Sequence, residues 1–238
     1  TLSGLTDEAI SFVATSTGTD TLTLAADTVA DSGTFNIGAS AAGVTITAIS
    51  AANYETLTIN SSGGANTITT LTANDITSLT VTGSTALTIT NAIASATGLA
   101  TIDASTMTKA VSINASNSTG AVTFTGGSGG DTITSGAGND TLTGGSGNDT
   151  LTAGNGTNTI TGGAGDNTLT GGTGIDTITS GDGADTIDSG AGNDTINSGG
   201  GNDTLTFDTD ADLNANDTVD AGAGTDAAAI TIGTALTT

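Results

Sequence analysis

From Gly126 to Thr206 an apolar residue falls at every ninth position: Ile133, Leu142, Leu151, Ile160, Leu169, Ile178, Ile187, Ile196 and Leu205. Each has Thr immediately before it and a polar residue immediately after it. Side chains alternate across a strand, so a Thr-apolar-polar triplet predicts a short strand with one side chain inward and two outward. The six residues before each triplet are rich in glycine and predict a turn. Nine such nonapeptides, GGSGGDTIT through SGGGNDTLT, follow one another without an inserted residue. Two of them complete an 18-residue coil with a strand on each side. Stacked at about 4.8 Å per rung, such coils predict two parallel sheets around a thin core of Ile and Leu. The expected fold is all-β, a right-handed parallel β-solenoid.

The region before Gly126 has another period. Leu2, Val13, Leu24, Phe35, Ile46, Leu57, Ile68 and Leu79 are each 11 residues apart, and after a slip Ile102, Ile113 and Phe124 resume the step. Alternating segments such as TLTL, GVTITAI, ETLTIN and AVTFT surround them. Residues 1–125 therefore read as an irregular, Thr-rich solenoid with one strand per 11 residues and no regular ion sites. An antiparallel sandwich is the other arrangement this spacing allows. After the nonapeptides of 126–206 the glycines lapse and return, so residues 207–238 read as an acidic capping coil with one degenerate nonapeptide, AGAGTDAAA, from Ala221.

Composition narrows the picture. Aromatics are 2% of residues and there is no Trp, so a core of large side chains is hard to build. The net charge is −23 and Lys109 is the one basic residue, which repels nucleic-acid phosphates and anionic lipid surfaces. No run of 18 apolar residues exists to insert in a membrane. A mean hydropathy of +0.11 and the regular apolar spacing argue against disorder, which leaves multivalent cations as the partners that suit such a polyanion. The chain has no Cys, hence neither disulfides nor thiolate metal sites, which fits an exported bacterial protein. It starts at Thr1 without Met or a charged-then-apolar leader and is read as a fragment of a longer protein.

The sixth position of the nonapeptide holds Asp131, Asp140, Asp149, Asp176, Asp185, Asp194 and Asp203, with Asn158 and Asn167 in the fourth and fifth copies. Carboxylates stacked at rung spacing repel one another unless a hard cation lies between them. Ca²⁺ takes about six to eight oxygens from carboxylates and carbonyls. The glycine turns offer such carbonyls, around Gly126, Gly129, Gly138, Gly147, Gly174, Gly183 and Gly192 and around the second-position Gly136, Gly145, Gly172, Gly181 and Gly190. Glycine suits the second and fourth positions wherever the turn needs positive φ or close backbone approach. Asn158 and Asn167 bring no charge, so their sites are expected to be weak or empty, with Asp166 placed to compensate for Asn167. Asp208, Asp210 and Asp212 begin like an EF-hand loop, but Leu213 and Val219 stand where that loop needs Gly and Glu. With Asp217 or Asp220 they form a candidate irregular site instead, set against a solvated acidic loop.

The grammar G-G-x-G-x-D-x-U-x, nine times in tandem, resembles the calcium-binding nonapeptide of the repeat-in-toxin (RTX) family. The resemblance implies a β-roll with ions between the turns of successive coils. Asp131, Asp149, Asp185 and Asp203 would serve one side, and Asp140, Asp176 and Asp194 the other. The Thr-rich run ahead of the repeats is similar in texture to bacterial surface-layer (S-layer) proteins of the RTX type. This implies a secreted, cell-surface structural module that folds on extracellular calcium, self-associates into a lattice and contacts surface polysaccharide, with type I secretion as the export route. Catalysis is not expected, because without His or Cys there is no nucleophile–base pair. Alternatives from other classes are an ice-binding domain, presenting outward Thr-x-Thr ladders interrupted at Asp188 and Asn197, a receptor-binding adhesin, or the C-terminal folding domain of a secreted enzyme.

Overall fold

The computed structural model of the chain describes residues 2–3, 9–12, 21–25, 31–38, 43–51, 54–93, 98–207, 213–214 and 216–230, with only the backbone for 2–3, 9–12, 21–25 and 31. The expectations placed on Val13, Asp208, Asp210 and Asp212 fall outside these residues. Successive strands alternate between two sheets of 12 and 11 strands, and each strand pairs in parallel with the second strand along the chain. The antiparallel sandwich is thereby excluded. Among the described residues there is no helix, and none is long and apolar enough to cross a membrane.

Coil length is what changes along the stack. In the nonapeptide region Leu142 pairs with Ile160 and Leu151 with Leu169, the 18-residue coil that two repeats predict. The eighth-position residues are at most 3% exposed and the Thr before them faces outward. Earlier coils are wider: Ile46 pairs with Ile68, Leu57 with Leu79 and Ile102 with Phe124. Strands of the wider coils can bury two large side chains, as Leu57 with Ile59 and Leu79 with Val81, where the narrow coil buries one large side chain and a small residue, as Leu142 with Gly144 and Leu151 with Ala153.

Among the described residues the 11-residue step breaks around Phe35 and around Leu24, and on one side Phe35 pairs with Ile10, where the step would place Val13. Phe35 pairs with Ile59 instead of Leu57, after a register shift between Asp31 and Ser32. Leu57 lies opposite Gly33, where a Cβ would come within 2.9 Å of the buried Tyr54 ring. The backbone passes over that ring at its one side-chain-free residue, and this fixes the register. Leu24 pairs with Leu2, as the step requires, but not with Ile46, since Leu22 is opposite Ile49. Towards the C-terminus, Thr218–Asp220 and Ala227–Ile230 add one more strand to each sheet, so the roll continues past Thr206.

Candidate metal centres in the turns

Each nonapeptide turn ends on its sixth residue, whose side chain points inward just before the chain enters the strand. All seven Asp and both Asn at this position are at most 1% exposed. They form two columns, one along each edge of the roll, tied by one repeated bond: the Oδ1 of each sixth residue accepts the backbone N–H of the sixth residue one coil earlier. On one edge Asp131 N–H donates to Asp149 at 2.6 Å, Asp149 to Asn167 at 3.0 Å, Asn167 to Asp185 at 2.7 Å and Asp185 to Asp203 at 2.9 Å. On the other, Asp140 donates to Asn158, Asn158 to Asp176 and Asp176 to Asp194, each at 2.9 Å. Asp131, Asp149, Asn167, Asp185 and Asp203 thus line one edge, and Asp140, Asn158, Asp176 and Asp194 the other.

The second carboxylate oxygen is in a different situation. Asp131 Oδ2 accepts the Gly127 N–H at 3.0 Å, but Oδ2 of Asp140, Asp149, Asp176, Asp185 and Asp203 is buried with no hydrogen-bond partner. In the turn of Asp149 this oxygen and the carbonyl of Gly162, one coil on, converge on the place that a Cβ on Gly144 would occupy. Asp176 Oδ2 and the Ser189 carbonyl converge on Gly171 in the same way. A buried carboxylate oxygen facing carbonyl oxygens, with no donor, costs several kcal/mol, on the order of 3, unless a proton or cation neutralises it. The donors are carboxylates and main-chain carbonyls, with no nitrogen or sulfur ligand, a hard-cation set suited to Ca²⁺. Among the described residues no point gathers three or more acidic side chains, so backbone carbonyls must supply most of any ion's shell.

The electrostatics agree. Desolvation raises the pKa of Asp149 to about 6, against the pull of the Asp131 N–H and with the help of the Asp131 charge. Desolvation likewise raises Asp176 to about 6, reinforced by the Asp194 charge over the opposing hydrogen bond from Asn158 N–H. Asp131 is raised as well, chiefly by burial.

The glycines divide by role. The second-position glycines from Gly145 to Gly199 and the fourth-position ones from Gly138 to Gly183 have positive φ. The carbonyls of Gly136 and Gly181 accept the N–H groups of Asn155 and Gly200, so they belong to the ladder between coils. Gly127, Gly129 and Gly136 do not share the positive φ of their counterparts, because the turns beneath them, at Met107–Lys109 and Ser116–Ser118, belong to the wider coils. Gly192 departs too, beside Asn214, whose amide donates to its carbonyl.

Four further acidic side chains have defined partners. Asp217 immediately precedes the strand Thr218–Asp220. It lies in the column, 23 residues after Asp194, whose N–H it accepts at 2.8 Å, and Asp220 instead caps the exposed Gly222 N–H. The exposed side chain of Asp166 accepts the Ala184 N–H at 2.8 Å on an outer ladder. Asp226 extends the first column by accepting the Asp203 N–H at 3.0 Å, and it was overlooked although it is the sixth residue of AGAGTDAAA. Ahead of the repeats the same column runs Asn66, Leu87, Val111, and the Val111 and Val122 N–H groups donate to Asp131 and Asp140, the first carboxylate on each edge.

A family model described as the RTX calcium-binding nonapeptide repeat (4 copies) matches residues 118–142, 125–160, 143–178, 161–196, 170–205 and 179–213. Comparison with curated proteins and with solved structures gives no match.

Proposed function

Residues 118–213 being a block of RTX calcium-binding nonapeptide repeats, we propose that this chain is a structural module of a secreted bacterial surface-layer or matrix protein, folded by extracellular calcium and not catalytic. The observation that carries the calcium assignment to particular atoms is the set of five buried Oδ2 atoms without a hydrogen-bond partner, those of Asp140, Asp149, Asp176, Asp185 and Asp203. Asp131, Asp149, Asp185, Asp203 and Asp226 would hold ions on one edge with turn carbonyls, and Asp140, Asp176, Asp194 and Asp217 on the other. Calcium supplies the positive charge that lets these carboxylates be buried ionised. Binding free energy is then folding free energy, because the sites do not exist in the open chain. A chain of net charge −23 stays open where calcium is scarce and closes where it is plentiful.

We propose further a functional division near residue 125, with the wide coils before it closed by apolar side chains and the narrow coils after it closed by ions. Self-association is supported by the last described coil, where Leu213, Val219 and Ile230 are exposed around an apolar hollow of about 310 Å³. Sedimentation velocity and electron microscopy of this chain in millimolar calcium are expected to show oligomers or sheets that chelation disperses. A compact monomer at every protein concentration would overturn the surface-layer reading.

A further inference from the structure

In the two copies whose sixth residue is Asn, one end of the side chain is bonded as in the Asp copies and the other is not. Asn167 Oδ1 accepts the Asp149 N–H at 3.0 Å, which fixes the direction the amide faces. Its Nδ2 then donates to the Gly165 carbonyl at 2.9 Å and reaches the Ser180 carbonyl at 3.5 Å. These are the fourth-position carbonyl of its own turn and the first-position carbonyl of the next coil. In the preceding turn of the same edge the matching first-position carbonyl, Gly162, faces the orphaned Asp149 Oδ2. An N–H group thus stands in the Asn167 turn where its neighbours set oxygen against oxygen. Asn158, on the opposite edge, accepts the Asp140 N–H at 2.9 Å, and its Nδ2 makes a longer contact of 3.5 Å to Gly156.

We propose that Asn167, with Asn158 opposite, substitutes its own amide for a calcium ion, so that the coil containing them closes metal-free and divides the ion ladder into two loaded blocks. The proposal rests on the reading of the other turns as calcium sites. An amide brings two donor hydrogens and no negative charge, so it satisfies the turn carbonyls and repels a cation from them. Because Asn158 and Asn167 are consecutive sixth residues, the two interruptions fall in one coil, in the middle of the block. That coil holds the register of both sheets when the ions leave.

Equilibrium dialysis with metal analysis tests this on the full chain and on Asn167→Asp, Asn158→Asp/Asn167→Asp and Asn167→Ala. One additional calcium per chain is expected for Asn167→Asp, two for the double variant and none for Asn167→Ala. Circular dichroism in saturating calcium should show Asn167→Asp folded, and its midpoint in chelator should fall. If the unaltered chain binds calcium and Asn167→Asp gains none, or fails to fold in saturating calcium, the substitution is wrong while the calcium reading stands. If the unaltered chain binds no calcium, the reading beneath it fails instead.

Discussion

Calcium-stripped protein is expected to gain its repeat-block structure on acidification from about pH 7.5 to about pH 4.5, whereas calcium-loaded protein is expected to lose ions over the same range. Asp149 and Asp176 have folded pKa values of about 6 against 3.8 for an unperturbed carboxyl. Between those limits the folded state binds more protons than the open chain, so the stability of the metal-free form falls as pH rises, with the full penalty present above about pH 6. Two pKa units correspond to roughly 3 kcal/mol per group, of the same order as the total stability of a small domain. The cause is burial of the carboxylates beside neighbouring charges, and a protonated Oδ2 would donate to a turn carbonyl as the Asn167 amide does to those of Gly165 and Ser180. With calcium bound the sign reverses, because the ion requires the ionised form and protons compete with it. Circular dichroism and calcium content measured across this range check both slopes, and parallel slopes with and without calcium would contradict the account.

Gly174→Ala is expected to destabilise the loaded roll by about 3 kcal/mol or more, while Gly200→Ala leaves it nearly unchanged. Gly174 is a fourth-position glycine at φ +125°, and an added Cβ would land on the carbonyl oxygen of Gly156, one coil back. That oxygen is main chain, and the Gly156 N–H is tied to the Thr173 carbonyl at 2.8 Å, so it cannot swing away as a flexible side chain would. Gly200 occupies the third position, which elsewhere holds Ser, Ala, Asn, Thr or Asp, and its nearest neighbour would be Asp182 Oδ1 at 3.4 Å. Thermal unfolding of the two variants in calcium gives the comparison. Equal shifts would mean that glycine content, and not stacking of the fourth position, sets stability.

The parts of the molecule legible in sequence are those where one residue type repeats for one physical reason. The inward Ile and Leu of the nonapeptides, the 18-residue coil and the two Asp columns all follow from a nine-residue period with no insertion. Legibility falls where a contact between distant residues decides the outcome. The register of Phe35 depends on Gly33 meeting Tyr54, which no local period encodes. Asp217 looked like part of an acidic cap because five extra residues separate it from the nonapeptide step, yet the coil absorbs them and returns it to the column. Asp226 was legible and missed, since Ala221 and Ala228 disguise a copy whose Gly222, Gly224 and Asp226 keep the turn. The bonding of the Asn amides, and the partnerless Oδ2 atoms beside them, required the stacked coils to be seen.

Hydrogen exchange followed by mass spectrometry, with calcium and with chelator and with magnesium as the control cation, tests the central claim residue by residue. The account predicts that residues 126–207 are protected in millimolar calcium and exchange freely in chelator or magnesium, apart from residual protection in the coil of Asn158 and Asn167. Residues 54–93 and 98–115, whose turns are closed by apolar side chains and Asn66, stay protected in every condition. Equal protection of 126–207 with and without calcium would contradict it, because buried carboxylate oxygens with no partner would then need no ion to close the roll.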